Sequence, residues 1–135
     1  MIEVWCDGGS RGNPGHSAWG FLVKVKGRIT KKGRGYLGIA TNNVAEYTAV
    51  VAALGWLAKE HPGENLAVYL DSQLAVRQLA GLYKVKNAKL RQLIFQIREL
   101  ETSFSKIFYS HVSRSENKEA DRLVNRQLDE VIYGT

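Results

Sequence analysis

The sequence predicts an α/β fold: a five-stranded mixed sheet with helices on both faces. Three observations carry that expectation. The chain opens on three strand-like segments in a row, with a short turn at Gly27-Arg28 that makes the second and third antiparallel neighbours. From Val44 onward apolar residues recur at helical spacing, and helices then alternate with two further short apolar runs. A hairpin start followed by β-α-β units sets helices against a partly parallel sheet. At 135 residues, with 44% hydrophobic and 24% charged content, the chain is expected to fold as one domain over 1–135.

In the first strand, Met1 to Ser10, alternation puts Ile2, Val4 and Cys6 on one face and Glu3, Trp5 and Asp7 on the other. The strand is expected to end at Asp7 and break into a glycine-rich turn, Gly8 to Gly15, where a large ligand can approach the backbone. Ser17 to Lys26 and Ile29 to Ala40 follow, with Gly33, Gly35 and Gly38 expected to loosen the latter. Thr41-Asn42-Asn43 offers N-cap chemistry. Tyr47, Val50, Val51, Leu54 and Ala58 then mark a helix to about Lys59, which His61-Pro62-Gly63 stops. Leu66 to Leu70 is a short buried strand leading into Asp71-Ser72. Next come a short helix over 73–79, a basic loop over 84–87 and a helix from Ala88 to about Leu100, with Leu90, Leu93, Ile94 and Ile97 on one face. Ile107 to Val112 is the last strand. Ser115 to Glu119 opens the final helix, with Leu123, Val124 and Leu128 inward, and the apolar tail Val131 to Thr135 is expected to pack on the body.

A formal net charge of +6, from 19 Lys+Arg against 13 Asp+Glu, suggests a polyanionic partner. Basic residues gather on the hairpin at Lys24, Lys26, Arg28, Lys31, Lys32 and Arg34. They read as protection of an exposed strand edge or as phosphate contacts. Trp5, Trp19 and Trp56 read as core aromatics rather than base-stacking platforms. The single cysteine, Cys6, reads as a small buried hydrophobe and excludes a disulfide framework. Without a leader pattern or a long apolar run, a cytoplasmic monomer with no membrane contact is expected.

Four carboxylates stand out. Asp7 and Asp71 each end a predicted strand, so adjacent parallel strands would bring them side by side. Glu46 falls in the first turn of the first long helix, and Asp121 shares a face of the last helix with Asn117 and Asn125, four residues away on either side. Taken singly, each has a plainer reading: Asp7 as a turn residue, Glu46 as a helix-dipole partner, Asp71 as an N-cap and Asp121 as a solvated helix acid. Taken together, they would repel unless cations neutralise them. Hard oxygen donors suit Mg²⁺ or Mn²⁺ rather than zinc, and two such ions roughly 3.5–4 Å apart can support in-line displacement at a phosphodiester.

The motifs resemble a known family. Val4 to Gly15, Thr41 to Tyr47, Leu70 to Gln73 and Ser115 to Asp121 are similar, in order, to the four motifs of type 1 ribonuclease H, and together they span almost the whole chain. The resemblance implies a ribonuclease H-like fold, with strands one to three antiparallel and the two later strands parallel beside the first. It implies cleavage of the RNA strand of an RNA/DNA hybrid by two metal ions, leaving 5′-phosphate and 3′-hydroxyl ends. Asp7, Glu46, Asp71 and Asp121 match the four metal-binding acids. Asp7 and Asp71 would share the ions, Glu46 would hold one and meet the RNA 2′-hydroxyl, and Asp121 would complete the site. Gly8, Gly9 and Ser10 fall in the same first motif, while Asn13, Thr41, Asn42, Asn43 and Gln73 match positions that contact the hybrid. Amides and hydroxyls suit 2′-hydroxyls and phosphates.

Two departures from the family pattern stand out. Bacterial members often carry a catalytic histidine in the loop before the last acid; here that loop is Ser113-Arg114-Ser115, and His16, His61 and His111 lie elsewhere. Arg114 is left between a role in product departure or phosphate positioning and that of a surface cation. It is too basic for an ordinary proton shuttle. The basic protrusion of many members is reduced to Lys84, Lys86, Lys89 and Arg91. Both features resemble the archaeal-type branch, some members of which also cut double-stranded RNA.

Overall fold

Alternation along the first strand decides where the core forms. Ile2, Val4 and Cys6 of β1 (Ile2–Arg11) are buried on one face of the sheet, where they join the main hydrophobic cluster. The structure, a computed structural model, describes residues 1–135. It continues through β2 (Gly15–Val25), β3 (Arg28–Ala40), α1 (Asn42–Glu60), β4 (Leu66–Leu70), α2 (Gln73–Leu79), α3 (Ala88–Glu101), β5 (Ile107–His111) and α4 (Lys118–Tyr133). The strands form one sheet in the order β3-β2-β1-β4-β5. The β1–β2 and β2–β3 pairs are antiparallel, and the β1–β4 and β4–β5 pairs are parallel.

Helices α1 and α3 cover the Cys6 face. Their buried residues Tyr47, Val50, Leu54, Leu57, Leu90, Leu93 and Ile97 close over Val4, Val68 and Leu70. At about 25 cal/mol per Å² of apolar surface, this layer is the main stabilising term of the fold. On the opposite face α4 lies across β1, β2 and β3, burying Val124 and Leu128 against Ala18. Cys6 is fully buried, as a small hydrophobe should be.

Several local expectations need correction. β1 does not end at Asp7: its ladder to β2 runs on through Gly8↔Trp19 to Arg11↔His16, so the glycines are strand residues. A Cβ on Gly8 would lie 2.1 Å from the Ala45 carbonyl carbon, which shows why this strand position must be glycine: the α1 backbone rests on it. Gly33 and Gly35 do not loosen β3; the rings of Phe21 and Trp19 lie over them. The hairpin turn is Lys26-Gly27, one residue earlier than expected, with φ of 52° and 78° and Val25 paired to Arg28. Two successive positive φ angles are what a two-residue turn between twisted strands demands.

The last strand stops at His111. α4 starts at Lys118, because residues 113–117 form a turn. Ser113 Oγ accepts from the Glu116 N–H at 3.2 Å, and Glu116 Oε1 accepts from the Ser113 N–H at 3.1 Å. The tail is mostly helix, and its Val131 and Tyr133 are exposed; Ile132 alone of its apolar residues packs against the small α4 cluster. The three tryptophans are half-buried at the sheet and helix surfaces, and Trp19 and Trp56 pack against the main core. No helix is long and apolar enough to cross a membrane.

Candidate active site

Register brings the first two acids together. β1 and β4 pair in parallel from Ile2↔Leu66 to Trp5↔Tyr69. Carried two residues further, the same register sets Asp7 beside Asp71, just where β4 has ended. The third acid arrives from α1, seated on Gly8. Glu46 lies in the second turn of α1 rather than the first, and it is buried. Its Oε2 accepts the Gly8 N–H at 3.1 Å. Ligand atoms of Asp7, Glu46 and Asp71 all lie within 4.8 Å of one another. Asp121, exposed in the first turn of α4, approaches from the other face of the sheet, and its charge is felt at Asp7.

The plainer single-residue readings of Asp7, Glu46 and Asp71 fail on these positions. Asp7 is mid-strand, α1 has no acid in its first turn, and Ser72 rather than Asp71 caps α2, accepting from the Ala75 N–H at 3.2 Å. Asp121 is solvated, yet it still faces the cluster.

Electrostatics record the crowding. Burial, then the charges of Asp71 and Asp121, push the Asp7 carboxyl up to about 8. Burial, then Asp7 and Asp71, hold Glu46 well above the usual carboxylate range, against the opposing pull of the Gly8 N–H and the Arg114 charge. Glu46 Oε1 is buried with no hydrogen-bond partner. An all-oxygen donor set with an orphaned buried oxygen and mutual repulsion fits a hard divalent cation.

The acids open into a cleft of about 480 Å³, also lined by Gly8, Gly9, Ser10, Asn42, Asn43 and Arg114. Asn13, Thr41 and Gln73 are exposed and outside that lining, where Ser72 takes the place expected of Gln73. Part of the predicted contact set is occupied in holding the cleft together. Asn42 Oδ1 accepts the Ser10 N–H at 2.8 Å, and Asn13 Oδ1 accepts the Asn42 N–H at 3.1 Å. Thr41 Oγ1 accepts the Val44 N–H as the α1 cap. Because both amide oxygens are spent on backbone donors, Asn13 and Asn42 keep their NH₂ groups for a ligand. Those groups suit acceptor oxygens such as phosphates and sugar hydroxyls.

Asn117 is a site residue that sequence reasoning passed over, although its spacing from Asp121 was noted. It is 1% exposed, and its Nδ2 donates to Cys6 O at 2.9 Å and to Asp71 Oδ2 at 3.4 Å. It thereby ties the start of α4 to both strands that carry acids.

With this geometry in hand, the likenesses to known proteins are specific. A family model described as reverse transcriptase-like matches residues 6–127. Ribonuclease HI of Halobacterium salinarum is 40% identical over 130 residues, which cover 96% of this chain and 65% of that protein. The bifunctional protein Rv2228c of Mycobacterium tuberculosis is likewise 40% identical over 130 residues, 95% of this chain but 35% of the relative. The chain thus spans about a third of the mycobacterial relatives it matches. The crystal structure of LC11-RNase H1 in complex with an RNA/DNA hybrid superposes with a TM-score of 0.93 at 34% identity, covering 98% of this chain and 99% of that one.

Proposed function

We propose, starting from the fact that this chain belongs to the type 1 ribonuclease H family, that it hydrolyses the RNA strand of RNA/DNA hybrids. The products would carry 5′-phosphate and 3′-hydroxyl ends. The observation that carries the proposal is the gathering of ligand atoms of Asp7, Glu46 and Asp71 within 4.8 Å of one another, with Asp121 lining the same cleft. These four acids would hold two Mg²⁺ or Mn²⁺ ions. When bound, such ions neutralise the cluster, polarise a scissile phosphate and lower the pKa of an attacking water.

The chain's own groups do the rest. The Gly8 N–H fixes the Glu46 carboxylate, and the Asn117 amide fixes Asp71. The NH₂ groups of Asn13 and Asn42, with Asn43 in the cleft and the exposed Thr41 and Gln73 outside its lining, would meet the hybrid. Arg114 lines the cleft and its charge is felt at Glu46, which supports the phosphate-positioning role over that of a surface cation. A guanidinium keeps its proton, so Arg114 orients rather than shuttles.

A binding module without catalysis would have no use for a carboxylate cluster that repels the nucleic acid it holds. The test incubates labelled RNA/DNA hybrid, duplex RNA and duplex DNA with Mg²⁺ or Mn²⁺, using wild type and Asp71→Asn. RNA-strand cleavage of the hybrid by wild type, reduced at least a hundredfold in Asp71→Asn, is the expected result, on the order of the loss when a transition-state contact is removed. Binding of the hybrid with no cleavage by wild type, or preferential cutting of DNA duplex, defeats the proposal.

A further inference from the structure

Three of the four acids are held by their surroundings: Asp7 within the sheet, Glu46 by Gly8 and Asp71 by Asn117. Asp121 is exposed, and its placement comes from elsewhere. Asn125, one turn along α4, donates from Nδ2 to Asp121 Oδ2 at 3.2 Å and to the Asp121 carbonyl at 3.1 Å. The Asn125 amide is itself oriented from β1. Arg11 Nη2 donates to Asn125 Oδ1 at 3.3 Å and to the Asn125 carbonyl at 3.4 Å, while Arg11 Nη1 pairs with Asp129 Oδ1 at 2.8 Å.

We propose that Arg11 is a positioning residue for Asp121, acting through Asn125 with Asp129 as its anchor. The proposal rests on reading the acid cluster as a metal site. Asp121, Asn125 and Asp129 form one stripe on α4 at spacings of four. Their order makes the direction of the amide unambiguous. Turned over, Asn125 would set its oxygen against the Asp121 carboxylate and its NH₂ against the guanidinium, two repulsions in place of two attractions. Arginine suits the post, since its fork engages the carboxylate with one nitrogen and the amide with the other, which a lysine ammonium cannot do in the same geometry.

A stability role explains little of this. The Arg11–Asp129 pair has side chains 32% and 47% exposed, and such surface pairs contribute little to folding. Arg11, Asn125 and Asp121 all line the cleft that holds the other acids. Partners of metal-ligating carboxylates act on the metal by fixing ligand orientation.

The test titrates Mn²⁺ alone, by calorimetry, into wild type, Asn125→Ala, Arg11→Met, Arg11→Lys and the Arg11→Met/Asn125→Ala double variant. Thermal midpoints and hybrid affinity in EDTA are measured alongside. Each single variant is expected to weaken Mn²⁺ binding about tenfold, with thermal midpoint and EDTA hybrid affinity unchanged for Asn125→Ala. Arg11→Lys should behave like Arg11→Met, and the double variant should be no worse than the poorer single one, because one relay is broken once. Wild-type Mn²⁺ affinity in Asn125→Ala overturns the proposal, as do additive losses or a wild type that takes up no Mn²⁺. A wild type that takes up Mn²⁺, with the variant losses above, but cuts no hybrid leaves the relay standing and removes the nuclease reading.

Discussion

Asp7 bears a conflict that is measurable without any substrate. Its carboxyl moves from the ordinary 3.8 to about 8 in the folded chain. The fold therefore favours the protonated acid. Its contribution to stability is fully present below about pH 4 and is lost as pH rises through about 8. Asp7→Asn removes the loss. In EDTA at pH 8 the variant is expected to melt above wild type, by roughly 3–5 °C for each kcal/mol relieved, with no advantage near pH 4. Thermal unfolding across that range checks the sign. Asp7, Glu46, Asp71 and Asp121 were legible in the sequence as candidates because all four fall in motifs that resemble the family's, whereas strand ends and helix spacing alone left each a plainer reading. Asn117 and Arg11 were not. The value of Asn117 depends on where α4 begins, and Arg11 meets Asn125 across 114 positions of chain. No local pattern carries such a contact.

Among the elements, α1, α2, α3 and β4 were readable nearly to the residue, because apolar runs bounded by good caps leave few alternatives. By contrast α4, whose N-cap makes no side-chain bond, starts later than its sequence suggests. β4 and α2 fall where the sequence places them. β1 was misread because glycine is ambiguous. Gly8 and Gly9 looked like a break, yet they continue a ladder whose backbone α1 must approach. The same ambiguity hid the seats of Phe21 and Trp19 on Gly33 and Gly35. The β2–β3 turn offers a test at this scale. Lys26 sits at φ 52°, a conformation that costs a lysine more than an asparagine. Lys26→Asn should stabilise the protein by roughly 0.5–1 kcal/mol, read as a higher urea midpoint at unchanged slope. An unchanged or lower midpoint would show that the turn is not under this constraint.

At the scale of the whole molecule, the sheet order does the assembling. A hairpin pair on one side of β1 and two parallel strands on the other place Asp7 and Asp71 at one sheet end, while α1 and α4 deliver Glu46 and Asp121 from opposite faces. Much of the positive charge lies on the hairpin and in and beside the α2–α3 loop, while Arg11 and Arg114 line the acid cleft itself. On the proposed function, most of the charge that would hold a polyanion and the acids that would cut it are different groups. Binding should weaken with salt as counterions are displaced. Cleavage should depend on the acids. The most direct measurement takes Asp7→Asn and wild type side by side, recording hybrid affinity over a salt series and RNA-strand cleavage in Mg²⁺ or Mn²⁺. The account predicts parallel salt slopes and affinities within a few-fold of each other, with cleavage lost in the variant. Cleavage that survives in Asp7→Asn, or that proceeds for wild type in EDTA, would contradict it.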